Sequence, residues 1–126
     1  MQAVHTDQAP AAIGPYSQAY LADGVLYTSG QIALQKNGEM IAGDVLAEAA
    51  QVFANLRAVL AAAGCTAKDV VRATVYLTDL GVFADVNELY ADFFGEHKPA
   101  RACVQVAALP KGAQIEIDVI AHLPAN

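Results

Sequence analysis

Positive charge is scarce in this chain of 126 residues, where seven Lys and Arg stand against thirteen Asp and Glu for a formal net charge of −6. The seven cations, Lys36, Arg57, Lys68, Arg72, Lys98, Arg101 and Lys111, are scattered, so no basic stripe exists to follow a phosphate backbone, and no nucleic-acid partner is expected. Long apolar runs are missing too. Asp, Glu, Gln or Arg breaks each one well short of the roughly 20 residues that a membrane span needs, so no membrane partner is expected. The opening MQAVHTDQAP has neither a positive start nor an apolar stretch, and no signal peptide is expected there. Cysteine is limited to Cys65 and Cys103, which with no export signal in view read as reduced thiols of a cytoplasmic protein. His5, His97 and His122 lie far apart, with no HxH, HExxH or Cys/His cluster, so no metal site is expected.

Hydrophobic residues make up 56% of the chain and charged residues only 16%, more apolar than a solvated monomer of this size requires. That excess points to a partner subunit, although much of it is Ala, which raises the count without creating sticky patches. No linker, repeat or low-complexity run interrupts residues 1–126, so one domain is expected.

Two short apolar stretches, around Gln18 to Leu21 and Val25 to Gln31, flank Asp23-Gly24, a strong hairpin signal. From Val45 to Ala63 apolar residues recur at the three-and-four spacing of a helical face, with Asp44 placed to cap the start and Gly64 to leave through positive φ. Val70 to Leu77 alternates β-branched residues and predicts a strand. A second helix places Val82, Phe83, Val86, Leu89, Tyr90, Phe93 and Phe94 on one side and closes at Gly95. Two more strands, ARACVQVA and QIEIDVIA, follow Pro99, joined by a turn with Leu109, Pro110, Lys111 and Gly112. The order ββ, α, β, α, ββ predicts an α+β two-layer domain, a mixed sheet with two helices on one face.

Several residues could carry chemistry. In QIEIDVIA, alternation puts Glu116 and Asp118 on the face away from the helices, either as part of a solvated strand face or as a catalytic carboxylate. Arg101 opens the preceding strand; it is either an exposed strand-end residue or a planar fork for a small substrate's carboxylate. Cys103 shares its parity and is more readily a packing residue than a nucleophile, since no His is paired with it. Cys65, past the helix end, has no evident role. Ser29, before Gly30, could offer a hydroxyl and backbone amides to a ligand, but it lacks a nucleophile elbow. Tyr16 follows the Gly14-Pro15 turn, which would fix its ring, as a lid or as a contact. Asn87 lies among apolar helix neighbours and is either outward-facing or hydrogen-bonded at an interface.

The stretches AIGPYSQAY, YTSGQI, NLRAVLAAAG, VVRATVYLTDL, VNELYADFF and above all PARACVQVAALPKGAQIEIDVIA resemble the RidA family, also called YjgF/YER057c/UK114, across nearly the whole chain. The resemblance implies a chorismate-mutase-like fold assembled as a homotrimer, its sheets forming a central barrel and its active sites lying between subunits. It further implies a cofactor-free deaminase that hydrolyses 2-imino acids, such as 2-iminobutanoate and 2-iminopropanoate, to 2-keto acids and ammonia. Arg101 would grip the substrate carboxylate and Glu116 would deprotonate the water, directly or through a relay. Tyr16, Ser29, Asn87 and Cys103 would line the cleft. Two departures from the family pattern stand out: ALQKNGEM where many relatives carry a Pro-containing loop, and EID, with Asp118, where EIE is common. Relatives also carry endoribonuclease, translation-inhibitor and chaperone labels, so an RNA-cleaving enzyme and a non-catalytic ketoacid-binding protein are the rival expectations.

Overall fold

The computed structural model describes residues 1–125. After a short strand β1 (Gln2–Val4) come β2 (Ala19–Ala22) and β3 (Val25–Thr28), joined at Asp23 and Gly24. Both turn residues have positive φ, 51° and 77°, the pair of left-handed conformations that matches the twist of the flanking strands. Helix α1 (Val45–Ala62) begins where the Asp44 side chain accepts from the Ala47 amide, and the chain leaves it through Gly64 at φ 80°. Strand β4 (Val70–Leu77), helix α2 (Phe83–Phe94), strand β5 (Ala100–Gln105) and strand β6 (Ile115–His122) complete the order.

All six strands join one sheet in the order β1-β2-β3-β6-β4-β5. Every pair is antiparallel except β4 with β5. A parallel neighbour needs a crossover, and α2 supplies it between β4 and β5. Because β6 lies antiparallel between β3 and β4, α1 is likewise a crossover between parallel strands. The two helices pack on each other and α1 packs on β6, as the expected two-layer α+β domain requires. Strand β1 was not among the expected elements; its three residues are too few for a periodicity to show. The second hairpin strand ends at Thr28, not Gln31, and β5 ends at Gln105, two residues short of the alternating segment, where Val106 turns its amide to Leu77 O.

Val52, Leu56, Val59 and Leu60 of α1 meet Leu26, Val75, Leu77, Ile115, Ile117 and Val119 of the sheet, all 1% exposed or less. Burying each contributes about 1.5–3 kcal/mol, the main favourable term of the fold. α1 is long and apolar enough by length and composition to cross a membrane, but half of it is buried within the domain, the pattern of a core helix. Among the described residues, the far face of the sheet carries no helix. It leaves Tyr20, Tyr27 and Val104 between 41% and 48% exposed.

Leu56→Ala, which empties space at the α1–sheet contact, is expected to cost about 2–5 kcal/mol in denaturant unfolding. Asp44→Ala, which removes only a cap, is expected to cost about 1 kcal/mol in the same measurement.

Candidate functional site

Two clefts flank the sheet, and the chemistry-bearing residues are divided between them. The first, about 660 Å³, is lined by the Pro10–Ile13 loop, Tyr16, Ser29, Gly30, Lys111 and Glu116 among others. Buried amides hold its walls. Gln18 donates to the carbonyls of Thr6 (3.1 Å) and Pro10 (2.8 Å) and accepts from the Thr6 amide, fixing the loop that leads to Tyr16. Asn55 on α1 donates to Ile32 O and Leu34 O at 3.2 and 2.9 Å, anchoring the opposite rim. The Ser29 hydroxyl donates to Ser17 O at 2.6 Å, so its proton is committed to holding the Tyr16 loop rather than to a ligand. The Gly14 turn closes on the Tyr16 amide at 2.9 Å and leaves that ring 55% exposed over the cleft.

Glu116 stands on the cleft floor, half-buried. Burial first, and the charge of Asp118 second, push its carboxyl above the ordinary carboxylate range. Its carboxylate lies against Gly30 so closely that a Cβ there would overlap Oε2, so residue 30 must be glycine for Glu116 to keep this place. Lys111, also on this cleft, holds a left-handed backbone at φ 57° and ψ 26°, a conformation that costs a non-glycine residue on the order of 1 kcal/mol.

The second cleft, about 410 Å³, is lined by Asn87, Tyr90, His97, Lys98, Pro99 and Arg101 with their neighbours. Arg101 donates from Nη1 to Asn87 Oδ1 at 2.6 Å, and its guanidinium lies 5.0 Å from the Phe83 ring and 4.7 Å from the Tyr90 ring. Three residues of α2 spaced i, i+4 and i+7 thus form a seat for one side chain of β5. The remaining donors of the fork stay available for an anion. His97 closes the far wall by a 2.6 Å bond between Nε2 and Val70 O.

Arg101 and Cys103 leave one side of the sheet, as their shared parity predicts, and their pairing with the buried Ala73 and Val75 of β4 makes it the helix side. Burial pushes the Cys103 thiol up, against a smaller opposing pull from Arg101, which suits packing better than a thiolate nucleophile. Cys65 is likewise buried in the core with its thiol pushed up by burial. Tyr16, Ser29 and Glu116 therefore meet in one cleft, and Asn87 and Arg101 in the other. Because β6 and β5 are separated by β4 and their key side chains leave opposite faces, one chain does not bring Arg101 to Glu116. Phe83, Tyr90 and Gly30 were not singled out from the sequence. Phe83 and Tyr90 count there as members of an apolar stripe, and the polar Asn87 placed between them on one helix face is the signal of a seat. Among the described residues no group of three or more His, Cys, Asp or Glu side chains converges as a metal site would require.

The family model described as Endoribonuclease L-PSP matches residues 6–123. The chain is 55% identical over 123 residues to Protein DfrA of Myxococcus xanthus, covering 95% of this chain and 94% of that one. It is 49% identical over 119 residues to the 2-iminobutanoate/2-iminopropanoate deaminase of Homo sapiens, covering 94% and 87%. The crystal structure of E. coli TdcF with bound serine superposes with a TM-score of 0.92 at 42% identity, covering 98% of this chain and all of that one. The chain belongs to the Endoribonuclease L-PSP family, the RidA (YjgF/YER057c/UK114) family that its motifs resemble.

Gly30→Ala is expected to displace the Glu116 carboxylate from the cleft floor while leaving the core intact. A crystal structure of the variant checks this, and a Glu116 side chain in its original place would refute the requirement for glycine.

Proposed function

We propose that this protein is a 2-iminobutanoate/2-iminopropanoate deaminase working without a cofactor in the cytoplasm, its active sites assembled between the subunits of a homotrimer. The observation that carries the proposal is the division of the chemistry. A pre-seated guanidinium stands on edge strand β5, and a carboxyl with raised proton affinity lies in a cleft on the other face of the sheet. A second copy that lays its Glu116 cleft beside the first copy's β5 edge completes a site with an anion anchor at one end and an acid–base group at the other. The uncovered sheet face with Tyr20, Tyr27 and Val104 supplies apolar surface for such an assembly. The 49% identity to an imine deaminase and the serine bound in a relative are in keeping with a small carboxylate-bearing substrate.

In the proposed reaction Arg101 holds the substrate carboxylate, which fixes C2 of the protonated imine in front of a water molecule. Water attacks C2 as Glu116 takes its proton, directly or through a relay, giving a carbinolamine. The proton returns to nitrogen, the C–N bond breaks as the carbinolamine hydroxyl forms the C=O and gives its proton to Glu116, and ammonia and the 2-keto acid leave. No electron transfer occurs, and no outside reactant besides water is consumed. Ser29 holds the loop of Tyr16, Asn87 holds Arg101, and Cys103 packs beneath the β5 edge. An RNA substrate fits poorly with a net charge of −6 and scattered cations.

The test is ketoacid formation from 2-iminobutanoate freshly released by a threonine dehydratase, with semicarbazide as competitor. Acceleration by the wild type is expected, with Arg101→Ala losing on the order of a hundredfold in kcat/KM. No acceleration by the wild type would overturn the enzyme reading and leave ligand binding. Arg101→Ala and Glu116→Ala chains co-refolded in equal amounts are expected to recover up to about a quarter of wild-type activity, because a shared site takes each residue from a different subunit. Recovery of nothing would place both residues in one subunit's site.

The pH profile has a definite sign. Glu116 acts in its charged form, so activity falls as pH drops through its midpoint. Because burial and Asp118 raise that midpoint, the acid limb of kcat/KM is expected above the usual carboxylate range, and Glu116→Gln should abolish the limb together with most of the rate.

A further inference from the structure

Two neighbours of Glu116, Asp118 and Tyr76, take no step in the reaction proposed above. Asp118 follows it by two residues on β6, so the two carboxylates leave the same open face about 6.6 Å apart along the strand. Tyr76 stands directly across from Glu116 in the β4–β6 register, yet its hydroxyl passes Glu116 by and donates to Asp118 Oδ2 at 2.9 Å, diagonally across the ladder. Burial, and then the bond to Asp118, push the Tyr76 phenol up, so it stays a donor. A donated hydrogen bond suits the charged form of a carboxylate. The result is a carboxyl group held in place beside the acid on the cleft floor.

We propose that Tyr76 and Asp118 are a positioning pair for Glu116: Tyr76 fixes the Asp118 carboxylate, and that carboxylate sets how firmly Glu116 holds the proton it takes from water. The remaining groups facing Glu116 are few. Tyr16 and Lys111 line the same cleft from the loop and the turn, and both are exposed. Arg72 on β4 pairs with Ile120, two rungs away, and is exposed, so water screens it. The adjoining segment after β3 contributes Ser29, Gly30 and Gln31, none of them charged. Lys111 and Arg72 would each oppose the effect of Asp118, which makes Asp118 the neighbouring charge that strengthens the hold on the proton. Placed there, it raises the proton affinity of Glu116, which helps a group that serves first as base and then as acid.

The inference deepens the deaminase reading, but its first test does not depend on activity. In the full assembled chain with ¹³C-labelled glutamate, the titration midpoint of the Glu116 carboxyl is followed by NMR in wild type, Asp118→Asn, Asp118→Glu and Tyr76→Phe. Asp118→Asn is expected to lower the midpoint by about half a unit or more. Asp118→Glu, which keeps the charge, should retain it, and Tyr76→Phe should lower it by a smaller amount. In kinetics the acid limb should move down with the midpoint while KM at the plateau pH stays constant. An unmoved midpoint in Asp118→Asn, or an equal fall in Asp118→Glu, would overturn the pair. If instead Arg101→Ala and Glu116→Ala leave ketoacid formation untouched, the deaminase reading fails and the titration still decides the role of the pair.

Discussion

Strand β6 is the constraint on which the rest of the molecule hangs. It is bonded on both sides by antiparallel partners, β3 and β4, and it alternates without a break between Ile115, Ile117, Val119 and Ala121 on the helix side and Glu116, Asp118 and Ile120 on the other. A slip of one residue would drive two carboxylates into the core and expel the branched side chains that α1 packs against. The hydrophobic preference of one face therefore also determines where the acids stand. Site and core are two readings of the same register.

The same logic divides the machinery. Alternation places Arg101 on the helix side of β5, where α2 can seat it, and Glu116 on the bare side of β6. No local rearrangement joins them, because a strand side chain changes faces only with a change of register. Under the proposed function the fold carries two halves of a site rather than one whole, and self-association becomes part of that chemistry instead of an ornament to it.

How much of this was legible in the sequence varies with the range of the forces involved. The two helices, the Asp23-Gly24 hairpin, the Asp44 cap and the face of Glu116 depend on contacts or dihedrals within a few residues, and each stands where periodicity puts it. The strand order does not follow from periodicity, since β4 inserts between β5 and β6 through long-range pairing that leaves no local mark. Hydrogen-bond direction is equally invisible: Ser29 reads as a ligand contact until its proton is seen committed to Ser17 O. Asn87 was open between two roles because its partner, Arg101, lies fourteen residues on. Arg101, Glu116, Tyr16 and Cys103 were named by motif, whereas the neighbours that hold them, Phe83, Tyr90 and Gly30, are apolar or featureless and draw attention only once their contacts are seen.

The seat of Arg101 between Phe83 and Tyr90 has a thermodynamic consequence. An arginine loose on a surface carries about 2 kcal/mol of rotamer entropy, and a ligand that captures it must overcome that disorder at each encounter. Here two rings and the Asn87 amide restrict the side chain already in the folded chain, so the ordering is completed once, when the protein folds, and not at each encounter with a ligand. The carboxylate of the proposed substrate would meet a socket whose shape exists before it arrives. Discrimination then rests on how well the rest of the ligand fits, rather than on its ability to organise the protein around it.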